Sequence, residues 1–326
     1  MSVLLKPFKG FEMNHILAYD EGLVNSIRVN KSEVEDRART LATRRTFKME
    51  SQAAAYLCAV QCVDLTTLAG DDTPGRVQRL CSKALRPVEP ELIKKLGLED
   101  FHPTVGAVCV YPAMVEWAVK FLNGRLPVAS VATGFPAGQI PSELKIAEIK
   151  YAIDAGATEI DVVISRGTVF TGQWEKLYDE LVSFRLACGN QAKMKTILGV
   201  GDLKTLDNIA KASAVAIMAG SDFIKTSTGF EPTNATLEAG LVMARQIRRF
   251  QEIIPGLKVG FKPAGGIRTA KDAQAWLILM LEELGDEWTR PELFRIGAST
   301  LLTDLERQLW HLATGRYSAE HHHPMG

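Results

Sequence analysis

The sequence predicts an α/β protein, a (β/α)8 TIM barrel with an N-terminal helical extension. From Cys62 onward, short β-branched or apolar runs alternate with longer amphipathic segments, the order expected of βα units feeding a parallel sheet. Eight such runs fall within roughly 250 residues, the size of a closed barrel. Charged residues also recur near the C-terminal ends of several runs, where barrels of this type gather their reactive groups.

Ahead of the barrel, Val34–Leu41 and Met49–Val60 have helical spacing and are expected to pack on its outside. Residues 1–61 then form the extension, 62–317 the barrel and 318–326 a flexible tail. The predicted strands are Cys62–Leu65, Val105–Tyr111, Val128–Thr133, Glu159–Ser165, Met194–Gly199, Asp222–Thr226, Leu257–Lys262 and Phe294–Gly297. Helices are expected over Pro112–Leu122, from a capping Ser142 to Gly156, and over Trp174–Gly189 and Ala235–Phe250. Two more are expected over Thr269–Leu284, stopped by Gly285, and over Leu302–Thr314, each with apolar residues at i, i+3 and i+4 spacing or terminal punctuation.

Composition narrows the function. The chain has 326 residues, 46% hydrophobic and 23% charged, which suits a globular enzyme with a large core. Lys+Arg and Asp+Glu both number 38, and without a long basic block neither nucleic acid nor a membrane surface is an expected partner. A small molecule is. The five cysteines, Cys58, Cys62, Cys81, Cys109 and Cys188, sit in apolar patterns rather than at metal-ligand spacing, which fits a reducing, cytoplasmic setting. The N-terminus places Lys6, Lys9, Glu12, Asp20 and Glu21 where a secretory signal needs an apolar stretch. Apolar runs such as Trp276–Leu281 are too short to span a bilayer. His321–His323 read as a polar end, and neither a metal nor a cofactor is expected.

The chemistry is carried by two lysines. Lys225 lies in Asp222-Phe-Ile-Lys-Thr-Ser-Thr-Gly229 and Lys262 in Val259-Gly-Phe-Lys-Pro-Ala-Gly-Gly-Ile-Arg268. Burying an ammonium costs several kcal/mol unless it is paired, and a free lysine with a pKa near 10.4 is too protonated to attack a carbonyl. Taken singly, a strand lysine is more often solvent-facing. Two on neighbouring strands suppress each other's protonation, so that Lys225 can form an imine with Lys262 as the adjacent cation. Removing the cation, as in Lys262→Met, is then expected to improve folding while losing activity. Asp161 either relays protons to the substrate or forms a salt bridge to a neighbouring strand, with Lys262 as a possible partner. Asp64 falls near the end of the first strand and completes the group. Cys109 reads as a pocket wall rather than a nucleophile. The glycine-rich turns Ala264–Arg268 and Gly297–Thr300 follow strands seven and eight, where barrels commonly bind phosphate through backbone N–H groups.

Six segments in order, Val63–Leu68, Ala107–Pro112, Glu159–Ile164, Phe223–Gly229, Gly260–Arg268 and Arg295–Thr300, resemble the deoxyribose-phosphate aldolases, closest to the longer animal-type form. The resemblance covers about Cys62 to Tyr317. It implies a class I, metal-free aldolase that reversibly cleaves 2-deoxy-D-ribose 5-phosphate to D-glyceraldehyde 3-phosphate and acetaldehyde in deoxyribonucleoside catabolism. It also implies Lys225 as the imine-forming lysine, Asp161 as proton carrier and Lys262 as the activating cation. Asp64, Thr66, Cys109, Thr228 and Gly229 would line the sugar site, and Gly265, Gly266, Ile267, Gly297, Ser299 and Thr300 would hold the phosphate. Two departures stand out. Phe230 occupies the place of a phosphate-assisting lysine, and the tail offers Tyr317 where some members carry a site-closing tyrosine. A homo-oligomer is compatible with this reading. The rivals are a Schiff-base barrel acting on another phosphorylated carbonyl compound and a catalytically idle metabolite-binding or scaffold barrel.

Overall fold

The computed structural model describes residues 13–43 and 49–319. Three helices come first, α1 (Glu21–Ser26), α2 (Lys31–Thr43) and α3 (Met49–Gln61). The barrel then runs β1 (Val63–Thr66), α4 (Pro74–Leu85), α5 (Pro90–Lys95), β2 (Ala107–Val110), α6 (Val115–Leu122), β3 (Val128–Ala132) and α7 (Ser142–Asp154). It continues through β4 (Glu159–Val163), α8 (Arg166–Phe170), α9 (Trp174–Cys188), β5 (Lys193–Ile197), α10 (Leu206–Met218) and β6 (Phe223–Lys225). α11 (Leu237–Ile253), β7 (Gly260–Lys262), α12 (Ala270–Leu284), β8 (Ile296–Ala298) and α13 (Leu301–Thr314) complete it. Each expected strand is present: β1, β5 and β8 are shifted so that one end runs a residue past the expected bounds, and the others are shortened at one or both ends.

All neighbouring strands are parallel, in the order β7-β6-β5-β4-β3-β2-β1-β8. Single parallel bridges Phe261↔Phe294 and Ala264↔Gly297 join β7 to the β8 side, so the sheet nearly closes. Both faces of such a sheet are covered. Val108, Val110, Ile160 and Val162 point outward under the helices and are fully buried there, while the alternate residues point to the barrel axis.

At two prolines the helix start differs from expectation. Ser142 is the first helical residue, not the cap; Pro141, at φ −54° and ψ 147°, takes that position without a side-chain hydrogen bond, because its locked ring already turns the chain into the helix. Pro112–Met114 forms a separate 3₁₀ turn before α6, as its missing N–H suits the start of a turn better than a helix interior.

The N-terminal helices wrap the outside. Asn14 donates from its side chain to the carbonyls of Ser221 (3.0 Å) and Lys258 (2.9 Å). α2 is held by Arg37 to Glu282 at 2.7 Å and by Glu33 to Arg245. His321–His323 lie outside the described residues.

Candidate active site

Strand register builds the site. Pairing sets Glu159 beside Lys193 and Asp161 beside Lys195 across β4 and β5, and Lys225 beside Lys262 across β6 and β7. Residues two apart share a strand face, so Glu159 and Asp161 both face the axis, as do Lys193 and Lys195. Lys225 stands level with Ile197, one inward layer nearer the C-terminal mouth than Lys195.

The two lysines read from sequence meet on one carboxylate oxygen. Lys225 Nζ donates to Asp161 Oδ2 at 2.7 Å and Lys262 Nζ donates to the same atom at 2.8 Å. Lys262 also lies 2.5 Å from Asp64 Oδ2. Asp64, Asp161 and Lys262 are completely buried and Lys225 is only 3% exposed.

Residues not singled out from sequence complete the group. Lys195 Nζ lies 2.5 Å from Glu159, 3.0 Å from Asp64 and 3.3 Å from Asp161 Oδ1. Arg295 binds Asp64 at 2.6 Å and Glu159 at 2.9 Å, and its Nε donates to the Pro291 carbonyl. Lys195 was hidden because Lys-Met-Lys-Thr-Ile reads as a strand with one wet face. The available signal was the two-residue spacing of Glu159 and Asp161 against Lys193 and Lys195 on consecutive strands of a sheet covered on both faces.

These contacts set the protonation states. Burial alone would raise the Asp161 carboxyl, but Lys195, Lys225 and Lys262 around it hold it well below the usual carboxylate range. Burial pushes the Lys225 ammonium down; Asp161 opposes this and Lys262 adds to it, and the net direction is downward. For Lys262 and Lys195, burial acts downward too, but the carboxylates each touches prevail and both stay above the ordinary lysine value. Burial raises the Cys109 thiol, which fits a wall rather than a nucleophile.

A cavity of about 420 Å³ opens at the C-terminal mouth. Lys225 lines it, with Thr66, Thr228 and Gly229 on the β1 and β6 sides and Gly265, Gly266 and Ile267 after β7. Gly297, Ser299 and Thr300 close the β8 side. Asp64, Asp161, Lys262 and Cys109 do not line it. They lie beneath or beside Lys225, which alone among the charged strand residues lines the space. The Thr228 hydroxyl and backbone N–H are engaged by Glu231, at 2.7 and 3.0 Å, a loop-shaping carboxylate that sequence reasoning missed. Phe230 is half exposed and packs edge-on against Phe135 at 5.7 Å, and Lys225 Nζ sits 5.9 Å from the Phe135 ring centre. These two rings form an apolar wall on one side of the amine.

The β7 and β8 end of the cavity has a source of N–H donors. The first turn of α12 is already capped by Thr269 and Asp272, and Ala270 N–H donates to Asp304 at 2.6 Å. α13 begins at Leu301, directly after the lining residues Ser299 and Thr300, and has no side-chain cap. Its N-terminus therefore offers N–H groups and a positive dipole end. Arg268 also lines the cavity. Tyr317 is 84% exposed and stacks on His311 at 4.8 Å. It lies past the C-terminal end of α13, so it does not close the mouth to which that helix points its N-terminus.

A second cavity, about 460 Å³, opens at the N-terminal mouth and is lined in part by Glu159, Lys193 and Arg295. The reactive amine does not reach it. Among the described residues, no three His, Cys, Asp or Glu side chains converge as metal ligands.

A parallel barrel carrying a desolvated lysine beside a second lysine and a carboxylate at its C-terminal mouth defines a carbon–carbon lyase of the barrel aldolase class. The profile described as DeoC/LacD family aldolase matches residues 58–306, and the chain belongs to this family. It is 57% identical over 309 residues to the human deoxyribose-phosphate aldolase, covering 94% of this chain and 96% of that protein. It is 48% identical over 248 residues to a putative deoxyribose-phosphate aldolase of Caenorhabditis elegans, covering 75% and 78%. A putative deoxyribose-phosphate aldolase from Toxoplasma gondii, 20% identical, superposes with a TM-score of 0.68 over 84% of this chain and 99% of that one. One from Coccidioides immitis, 24% identical, gives 0.61 over 84% and 97%. These structures share the fold.

Proposed function

We propose that this protein is a class I aldolase that cleaves 2-deoxy-D-ribose 5-phosphate to D-glyceraldehyde 3-phosphate and acetaldehyde, reversibly. The observation that carries the reading is the convergence of Lys225 and Lys262 on Asp161 Oδ2, with Lys225 alone of the three facing the cavity.

Neutral Lys225 attacks the aldehyde carbon of the open-chain sugar, and loss of water leaves a protonated imine. The iminium withdraws the electron pair of the C2–C3 bond while a base takes the proton of the C3 hydroxyl, releasing glyceraldehyde 3-phosphate. The enamine left on Lys225 is protonated at C2, and water then frees acetaldehyde and the amine. Asp161, joined to Lys225 and Lys262 but set back from the cavity, relays these protons through the amine it touches and water that enters with the substrate. Lys262 supplies the positive charge that keeps Lys225 unprotonated. The phosphate rests against Gly265, Gly266 and the start of α13, with Arg268 as its cation.

The same proposal makes a small phosphosugar the partner, cytoplasm the site of action and a homo-oligomer a compatible state. No described helix is long and apolar enough to cross a membrane. Incubation with 2-deoxy-D-ribose 5-phosphate tests the substrate: acetaldehyde and glyceraldehyde 3-phosphate should form in equal amounts, and Lys225→Met should abolish both. A folded protein that leaves this sugar intact contradicts the proposal.

A further inference from the structure

Beneath the reactive amine lies an ion lattice that runs down the barrel axis. Arg295 bridges Asp64 and Glu159; Lys195 touches Asp64, Glu159 and Asp161; Lys262 bridges Asp64 and Asp161; Lys225 joins only at Asp161. Three carboxylates thus meet three cations before Lys225 is counted. With a neutral Lys225 the lattice carries no net charge, and protonating it leaves one uncompensated charge on a side chain only 3% exposed, which a buried setting disfavours.

We propose that Lys195, Glu159 and Arg295 are positioning residues for the reaction: they hold Asp161 in place, and the balance of their charges sets the pH above which the Lys225 lone pair is free, although none of them lines the substrate cavity. This deepens the aldolase reading and rests on it. The groups facing Lys225 from the elements around it are consistent with the count. Asp161 comes from β4, Lys262 from β7, the uncharged Cys109 from β2 and Phe135 from the loop after β3. Lys195 on β5 and Asp64 on β1 act through Asp161 and Lys262. At the far end, half-buried Lys193 faces Glu159 beside the N-terminal cavity, where solvent screens it.

The test is the pH profile of kcat/KM, whose acid limb reports the free enzyme's essential base. Lys195→Met removes a cation, so the limb should move up by about one pH unit, with about a tenfold loss of activity below it. Glu159→Gln removes a carboxylate that lines the N-terminal cavity and leaves an amide of the same shape, so it should move the limb down by about one unit. The double variant removes one charge of each sign and should return the limb to within about half a unit of the native position. Uniform loss of activity with unmoved limbs in both single variants overturns the proposal. Should a single variant not fold, the remaining single variant and the double decide it, and a double displaced by about a full unit overturns it. Borohydride trapping of acetaldehyde on the native protein separates the two claims. An adduct on Lys225 with unmoved limbs sinks only the lattice inference, whereas no adduct anywhere sinks the aldolase reading beneath it.

Discussion

Lys225 touches one carboxylate and Lys262 touches two, so the same substitution acts differently at the two positions. Lys262→Met strands Asp64 and Asp161 short of a partner, and breaking a buried pair in this way costs about 3–5 kcal/mol. The sequence alone suggested that this variant folds better; the two carboxylates reverse the sign. Lys225→Met leaves Asp161 held by Lys195 and Lys262. Because the folded pKa of Lys225 lies below its unfolded value, the amine works against folding at neutral pH, and its penalty is relieved only as pH rises toward about 10.4. Thermal unfolding at pH 7 should show Lys225→Met at or above the native Tm and Lys262→Met clearly below it, with both inactive. At the cavity rim, Phe230→Lys should restore a charge-assisted contact of about 1.5–3 kcal/mol. The KM for the phosphosugar should fall about tenfold or more, and an unchanged KM would show that Arg268 and the backbone donors already suffice.

At the level of elements, the strands were legible because both faces of a parallel barrel are covered, which leaves near-continuous apolar runs such as Val128–Ala132. Helix α12 was legible from Thr269–Leu284 and the Gly285 that stops it, and the structure adds a capping box formed by Thr269 and Asp272. What escaped was chemistry that depends on register. Lys195 and Glu159 look like the polar half of an alternating strand until β4 and β5 are aligned. Glu231 is unremarkable in Gly-Phe-Glu-Pro until it folds back onto Thr228. The β8–α13 junction shows the same dependence. A Cβ on Gly297 would lie 2.9 Å from the Ala264 Cβ and 3.3 Å from the Lys262 Cε, so the close approach of β7 and β8 requires a glycine there. Gly297→Ala should cost about 1–3 kcal/mol of stability and lower kcat by displacing Lys262, as steady-state kinetics and denaturant unfolding would record. Native kcat in this variant would mean that Lys262 tolerates the shift.

For the whole molecule, the axis of the barrel is held by charge rather than by oil. Asp64, Glu159 and Asp161 all have folded-state pKa values below the ordinary range, since the cations they touch outweigh their burial. Depressed carboxylates give stability that is fully present above the unfolded pKa of about 4 and is lost as pH falls toward the folded values. The carboxylate contribution to Tm should therefore be level between about pH 5 and 8 and drop steeply below about pH 4. A Tm insensitive to acid down to about pH 3 would show that the lattice adds nothing net.

The most direct test of Lys225 as the nucleophile is borohydride reduction in the presence of 2-deoxy-D-ribose 5-phosphate, followed by peptide mass spectrometry. A reduced two-carbon or sugar adduct confined to the peptide carrying Lys225, absent from Lys225→Met and strongly diminished in Lys262→Met, is the expected result. A folded, active enzyme that forms no adduct, or one labelled at Lys262 or Lys195 instead, would contradict it.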